Sequence, residues 1–187
     1  MKKNIFVLSL LACALSFTSC SDDDINQKPY DQIEFADYYK TESDFNTAIN
    51  GVYRGFVQDG YYAGLSNASD IVAVGDILSD NIILNPSGRQ SGLRTHNWSY
   101  NSNAVPTSIY STSYNIISRA NLILANIDNL QDGDFKNYIS AKAKAIRALA
   151  HFEVARTYAE IPTQADNAAT TIGIAYVDKY DPRAEVT

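Results

Sequence analysis

The residues that decide the fold are 109–130, which read IYSTSYNIISRANLILANIDNL. Two adjacent columns of mostly apolar side chains recur in this stretch every seven residues, and a third set lies between them. The first column is Ile109, Ile116, Ile123 and Leu130, the second is Tyr110, Ile117 and Leu124, and Tyr114, Ala120 and Ile127 lie between the two. So wide an apolar stripe predicts a long α-helix that packs against another helix.

A second long helix is predicted to follow after a short turn. Gly133 is expected to take a left-handed conformation at the end of the first helix, and Asp134 is expected to cap the second. The second helix is predicted to end at about Ile161, because Pro162 disfavours a helical conformation in the residue before it. The two helices would then form a tight helical hairpin.

The second helix is apolar on more than one side. One face is predicted to be rich in alanine, and its two larger residues, Leu149 and Phe152, are expected to be buried against the stripe of the first helix. The members of this face are Ala141, Ala145, Ala148, Leu149, Phe152, Ala155 and Ala159. Further apolar residues lie outside it, at Ile146, Val154 and Tyr158. This distribution predicts burial between two layers, as in stacked helical hairpins.

A shorter helix is predicted before the hairpin, starting at Thr41. Thr41 and Asp44 have the spacing of a capping box, in which each side chain accepts a hydrogen bond from the backbone N–H of the other residue. The apolar residues that follow have helical spacing: Phe45, Ala48, Ile49, Val52, Tyr53 and Phe56. Another helix is predicted over Asp70–Leu78, with a strand as the alternative because this segment is rich in β-branched residues. The predicted fold class is all-α.

Residues 85–104 have no periodicity and are predicted to form a long irregular loop, which contains the only tryptophan of the chain. Loops of this length are uncommon in a compact domain and are often functional. Sugar rings have apolar faces that stack on aromatic rings, and hydroxyl groups that bond to Arg, Asn and Gln side chains. The candidate ligand-binding residues are Arg89, Gln90, Arg94, His96, Trp98 and Tyr100. The alternative for Trp98 is a packing role at the start of the helical hairpin.

The first 24 residues have the features of a bacterial lipoprotein signal. Lys2 and Lys3 precede an apolar run over residues 5–17, and Cys20 is followed by the acidic triplet Asp22–Asp24. An apolar run of this length is too short to span a bilayer core of about 30 Å and is typical of a cleaved secretory signal. Cys20 is therefore the predicted lipidation site, where acyl chains such as palmitate would anchor the protein.

Two alternatives to this lipid site stay open. Cys13 is the rival lipidation site, although choosing it would leave a very short apolar core. The chain could otherwise be an ordinary secreted protein in which Cys20 is not modified. The predicted organisation is a signal peptide over residues 1–19, an acylated tether over residues 20–40 and a helical domain over residues 41–187.

The composition excludes several classes of partner and site. The chain has 187 residues, which fits one domain, and its formal net charge of −6 becomes −8 when residues 1–19 are removed with their two lysines. Nucleic acids and anionic head groups need concentrated Lys and Arg, so neither is a predicted partner. With Cys13 removed and Cys20 acylated, no thiol is left for a disulfide, a metal site or a cysteine nucleophile.

No catalytic, metal or cofactor site is predicted. The chain has two histidines, His96 and His151, and it lacks the Gly-x-Ser-x-Gly, His-Glu-x-x-His and glycine-rich phosphate-binding motifs. His151 is interpreted as a packed or surface histidine. Arg156 is interpreted as a member of a local ion pair with Glu153 or Glu160. An exported glycoside hydrolase stays an alternative, because any two of the many acidic residues could meet at the required separation.

Two stretches of the hairpin match a known pattern. They are YNIISRANLIL at residues 114–124 and AKAKAIRALAHFEVARTYAEIP at residues 141–162. Both resemble the N-terminal region of the SusD/RagB family of outer-membrane nutrient-binding lipoproteins. Shorter segments resemble the family in the same order along the chain: Ile49–Tyr53, Ser79–Asn81, Gly173–Tyr176 and Pro182–Thr187. The acidic triplet after Cys20 resembles the export signal of Bacteroidetes lipoproteins that face the cell exterior.

This resemblance implies a fold of tetratricopeptide-like helical hairpins. It also implies a lipid-anchored protein of the outer membrane that captures oligosaccharides and passes them to a TonB-dependent SusC-like transporter, on which it sits as a lid. The alternative is a helical-repeat scaffold that docks to the transporter without binding sugar. Family members continue well beyond residue 187. The chain is therefore expected to be a fragment or the product of an interrupted reading frame, with a sugar site that needs the missing part as well.

Overall fold

Five α-helices are present in the part of the chain that the structure describes. A computed structural model describes residues 38–57, 61–62, 71–79, 81–90, 92–99, 107–161, 163–164 and 173–181. The helices are α1 (Glu42–Phe56), α2 (Ile71–Leu78), α3 (Leu93–His96), α4 (Thr107–Ala125) and α5 (Asp134–Tyr158), with a 3-10 turn at Ile127–Asn129. No β-strand occurs among these residues, and the predicted all-α class is confirmed. The tetratricopeptide-like stacking of the hairpins stays a prediction.

All described residues except Tyr38 belong to one compact unit, which begins at Tyr39. Cys20, the signal peptide and most of the tether lie outside the described residues, so the predicted domain organisation stays a prediction. Among the described helices, none combines the length and the apolar composition that a membrane-spanning helix needs.

α1 begins as its sequence predicts. The Thr41 hydroxyl accepts a hydrogen bond from the Asp44 backbone N–H at 3.3 Å, and the Asp44 carboxylate accepts one from the Thr41 N–H at 2.7 Å. This capping box satisfies two backbone donors that the start of a helix leaves without partners. The buried residues of α1 include Phe45, Ile49 and Val52, and the helix packs against α4 and α5.

Gly55 allows α1 and α4 to lie close together. A Cβ atom at this position would lie 2.7 Å from the Ile116 Cγ1 atom of α4. Gly51, one turn earlier on α1, has open space at the corresponding position. Glycine is less favourable than alanine inside a helix, so the close helix approach gives a physical reason for Gly55 that does not apply to Gly51.

The helical hairpin of α4 and α5 forms the centre of the described unit. All four members of the first predicted column of α4 are buried, and Ile117 and Ala120 are buried with them. α4 ends at Ala125, earlier than the stripe predicts, and the 3-10 turn that follows still leaves Leu130 buried. The predicted hairpin is therefore present, with a shorter first helix.

The turn of the hairpin differs from its prediction in two details. Gly133 has φ 158° and ψ −173°, which lies outside the left-handed helical region but in a positive-φ region that is essentially restricted to glycine. Gly133 is also the residue that precedes the helix, while Asp134 is its first helical residue. An acidic side chain in the first turn of a helix still interacts favourably with the helix dipole.

The predicted buried face of α5 is wrong. Leu149 is 42% exposed and Phe152 is 61% exposed. The apolar residues that α5 buries are Ile139, Ala143, Ile146, Ala150 and Val154. Both faces carry large apolar side chains, so the packing of α5 against α1 and α4 decides that the face with Ile139, Ile146 and Val154 lies inward.

The region before α4 contains more regular structure than predicted. α2 is a helix and not the alternative strand. α3 forms one helical turn within residues 85–104, which are predicted to be irregular, and it packs against α2. Tyr100 lies outside the described residues.

Residues 173–181 form a separate segment, which we call the strap. The strap lies along α4 and α5 and has no regular secondary structure of its own. Side chains of both helices donate hydrogen bonds to its backbone carbonyl groups. Since a segment without regular secondary structure has no backbone hydrogen-bond pattern of its own, these side chains supply partners that its carbonyl groups need.

Candidate functional site

Trp98 is exposed at the end of α3. Its side chain is 66% exposed, and its backbone has a φ of 52°. The alternative that Trp98 packs at the start of the helical hairpin is therefore wrong, because the turn that follows α3 leaves the indole in solvent. A left-handed backbone is unusual for a bulky residue and costs about 1–3 kcal/mol. Strain of this kind is concentrated at functional sites.

Local hydrogen bonds hold Trp98 in this conformation. The Trp98 N–H donates to the Thr95 carbonyl at 3.1 Å, and the Ser99 N–H donates to the Arg94 carbonyl at 2.8 Å. Thr95 is buried, and α3 packs against α2. The exposed indole thus lies on a turn that backbone hydrogen bonds hold in place, next to the buried Thr95.

A second turn precedes α3. Gln90 has a φ of 55°, and its side-chain amide donates to the Pro86 carbonyl at 3.1 Å. Gly92 follows with a φ of 85°, a conformation that glycine adopts without strain. The Ser87 N–H donates to the Asn85 side-chain oxygen at 2.9 Å, which closes an Asx-turn. Residues 85–90 are consequently arranged by their own hydrogen bonds.

The other predicted ligand-binding residues lie on this loop with different exposures. Arg89 and Arg94 are exposed, whereas His96 is half-buried. The His96 Nδ1 atom is buried and has no hydrogen-bond partner in the described part of the chain. The structure therefore brings Arg94, His96 and Trp98 together on and just after α3, and it places Arg89 on the exposed segment before that helix.

The buried Glu153 is the centre of a polar cluster that the sequence only partly predicts. Its carboxylate accepts hydrogen bonds from the Tyr62 hydroxyl at 2.5 Å and from the Arg156 guanidinium. The predicted local ion pair of Arg156 is thereby confirmed, with Glu153 as the partner. Burial and the bond to Glu153 raise the pKa of Tyr62 well above its usual value of 10.0. Because the buried carboxylate has hydrogen-bond partners, a structural role accounts for it.

His151 is packed, as interpreted from the sequence, and it contacts the strap. Its Nε2 atom lies 3.1 Å from the Val177 N–H nitrogen, and its Nδ1 atom lies 2.9 Å from the Arg147 carbonyl oxygen. The ring also contacts the Tyr176 ring at a centroid distance of 4.8 Å. His151 is thus a structural contact between α5 and the strap.

Asn121 and Arg147 of the hairpin also hold the strap, and the sequence gives a signal for Asn121. Asn121 is buried, and its amide donates to the Val177 carbonyl at 3.0 Å and to the Lys179 carbonyl at 3.2 Å. Arg147 donates to the Asn121 side-chain oxygen and to the Asp178 carbonyl. A polar residue such as Asn121 inside an apolar stripe needs a partner, so its position could have predicted a segment packed here.

A small cleft of about 160 Å³ lies between α2, α4 and α5. Its walls are mainly apolar, and none of the predicted ligand-binding residues lines it. The lining residues are Ile71, Val74, Gly75, Leu78, Ile109, Arg156 and Thr157. Within the described residues, no group of three or more histidine, cysteine or acidic side chains could hold a metal ion.

Comparison with known proteins assigns the chain to a family. The model of the SusD-like family, described as starch-binding and associating with the outer membrane, matches residues 23–185. The chain belongs to the SusD-like family. The predicted family is thereby confirmed, and so is the prediction that the chain is not an enzyme, since SusD-like proteins are binding proteins.

A curated relative of this SusD-like chain is SusD-like protein P2 of Formosa agariphila. The two sequences are 25% identical over 163 residues, which is 87% of this chain. The matched part makes up only 31% of the relative, so this chain spans about a third of the relative's length. No solved structure matches the chain significantly.

Proposed function

We propose that this SusD-like chain is part of a surface-exposed lipoprotein that binds starch or a related glycan at the outer membrane. The lipoprotein delivers the glycan to a TonB-dependent SusC-like transporter. The loop that carries Arg89, Arg94, His96 and Trp98 supplies part of the glycan-binding surface.

The observation that carries this proposal is the exposed indole of Trp98 on an ordered turn. An indole offers a wide, flat apolar face, and the apolar face of a sugar ring stacks on such a plane. Arg94 precedes Trp98 by four residues and is exposed, so its guanidinium can donate hydrogen bonds to sugar hydroxyl groups. A pre-arranged contact surface lowers the entropy lost on binding.

Retardation in glycan-containing gels tests the binding function directly. The native lipoprotein, purified from membranes in detergent, is expected to migrate more slowly in a gel that contains soluble starch. A gel with dextran, which has a different linkage, is the matched control. Retardation by dextran alone would contradict starch as the ligand, and no retardation by any of a panel of glycans would contradict the binding function.

We also propose that Cys20 carries the lipid that anchors this protein. Buried acyl chains contribute about 0.8 kcal/mol per CH₂, so two or three chains hold a protein at a membrane stably. Cys20→Ala is expected to abolish metabolic labelling with a fatty-acid probe and to release the protein from membranes. Cys13→Ala is the control and is expected to leave both unchanged; labelling that survives in Cys20→Ala would contradict the assignment.

The partnership with a SusC-like transporter rests on the family resemblance. Affinity purification of the tagged lipoprotein from mildly solubilised outer membranes is expected to recover a TonB-dependent transporter in a stoichiometric amount. Recovery of the transporter by a protein that no glycan retards would favour the scaffold function. Absence of the transporter at every detergent condition that preserves other outer-membrane complexes would contradict the partnership.

A further inference from the structure

One of the hydrogen bonds that hold the strap runs in the opposite direction to the others. The Tyr114 hydroxyl, the Asn121 amide and the Arg147 guanidinium all donate hydrogen bonds to strap carbonyl groups. At Val177 the direction is reversed, because there the strap N–H donates to the Nε2 atom of His151. This bond requires an unprotonated nitrogen at Nε2.

The second ring nitrogen of His151 fixes the tautomer. Nδ1 lies 2.9 Å from the Arg147 carbonyl oxygen, which can only accept a hydrogen bond. Nδ1 therefore carries the proton of the neutral ring, and Nε2 carries the lone pair that Val177 uses. Both nitrogens of the neutral ring are satisfied, and a second proton at Nε2 would place two N–H groups against each other.

The groups around His151 come from all three packed elements. Arg147 of α5 places a positive charge nearby and disfavours protonation, while Asp178 of the strap places a negative charge that favours it. The ring of Tyr114 on α4 and the ring of Tyr176 on the strap lie against the imidazole. Burial raises the pKa of Tyr114 to about 12, so this phenol stays neutral from mildly acidic to neutral pH.

We propose that His151 is an acid-sensitive latch for the strap. Protonation of Nε2 removes the acceptor of the Val177 N–H and loosens residues 173–181 from α4 and α5. The remaining bonds from Tyr114, Asn121 and Arg147 keep the strap attached, so acid increases its opening without unfolding the helical hairpin.

The direction of the pH effect follows from the environment of the ring. Burial lowers the pKa of His151 below its usual value of 6.5, against an opposing contribution from the hydrogen bond to the Arg147 carbonyl. When the strap opens, the ring is hydrated and its pKa returns toward that value. The equilibrium constant for opening of the strap therefore does not change with pH above about pH 6.5. Below that pH it increases, by up to about tenfold per pH unit, until the pH reaches the pKa of His151 in the closed state.

Amide hydrogen exchange of Val177 tests the latch. The protection factor, which is the intrinsic exchange rate divided by the observed rate, is expected to fall between about pH 7.5 and about pH 5, by up to about thirtyfold. Amides in the middle of α4 are the internal reference and are expected to keep their protection. A protection factor for Val177 that does not change with pH would overturn the proposal.

Variants separate the latch from a general effect of acid. His151→Gln offers an amide oxygen as an acceptor that does not titrate, so the pH dependence at Val177 should disappear. His96→Gln replaces the other histidine and should leave the pH dependence intact. The proposal is overturned if His151→Gln keeps the dependence or if His96→Gln abolishes it.

Nitrogen chemical shifts of the unmodified protein provide a test that needs no variant. At neutral pH the Nε2 nitrogen of His151 is expected to have the shift of an unprotonated ring nitrogen, and Nδ1 that of a protonated one. Acidification should move the Nε2 shift in parallel with the loss of protection at Val177. A protonated Nε2 at neutral pH would contradict the latch.

Discussion

The hairpin of α4 and α5 and the loop around α3 use their large side chains in opposite ways. The hairpin buries Ile117 completely, whereas the loop leaves the indole of Trp98 66% exposed. Tertiary packing holds the hairpin, and short-range hydrogen bonds hold much of the loop. The difference indicates that stability resides in the helices, so that side chains of the loop are available for contact with a ligand.

The largest effect on stability is expected from Ile117→Ala. This substitution removes a fully buried side chain from the hairpin and should lower the free energy of unfolding by about 2–5 kcal/mol. Ile83→Ala is the matched control, since Ile83 is 87% exposed in the segment before α3, and its cost should stay within about 0.5 kcal/mol. If urea denaturation shows the same loss in free energy of unfolding for both variants, the distinction between the two regions is contradicted.

A smaller effect is expected where α1 meets the hairpin. Gly55→Ala would place a Cβ atom 2.7 Å from Ile116 Cγ1 and should cost about 1–3 kcal/mol, because the buried isoleucine must move. Gly51→Ala adds the same atom in open space and should stabilise α1 by about 0.5–1 kcal/mol. Thermal unfolding of both variants checks the pair, and a Gly55→Ala protein as stable as Gly51→Ala would show that the helices are not in close contact.

The smallest effect is expected on the outer face of α5. Leu149→Ala should lower the free energy of unfolding by less than about 1 kcal/mol, because the side chain is 42% exposed. Ile146→Ala on the inner face should cost about 2–5 kcal/mol. Denaturation of the two variants in parallel compares the two faces of α5. A larger loss in free energy of unfolding for Leu149→Ala would support the buried face that the sequence predicts.

Much of the fold could be predicted because the signals are local. The capping box of Thr41 and Asp44 lies within four residues, and the stripe of α4 repeats from Ile109 to Leu124. Both depend on backbone periodicity and on short-range hydrogen bonds, which the order of residues determines. The all-α class and the hairpin follow from these signals.

The orientation of α5 could not be predicted in the same way. Its alanine-rich face with Leu149 and Phe152 and its opposite face with Ile146 and Val154 are both apolar, so the pattern does not distinguish inside from outside. The shape of the neighbouring helices decides which face is buried, and periodicity does not contain that information.

The sequence predicts which residues form the candidate site, but not how they are arranged in space. The composition of the loop identified Arg94 and Trp98, but the exposure of Trp98 depends on its left-handed backbone after α3, which no local pattern in the sequence signals. The contacts of His151 with the strap depend on residues 26 positions apart, beyond the range of any helical period.

Glycan binding by variants of Trp98 and Phe152 tests the central claim most directly. Both aromatic side chains are similarly exposed, at 66% and 61%, but Trp98 lies on the loop and Phe152 on the outer face of α5. In the native lipoprotein, Trp98→Ala is expected to raise the Kd for starch about tenfold, which is about 1.4 kcal/mol, with little change in Tm. Phe152→Ala is expected to leave the Kd unchanged. A Trp98→Ala protein that binds starch like the unmodified protein, or one that weakens binding only because it unfolds, would contradict the account.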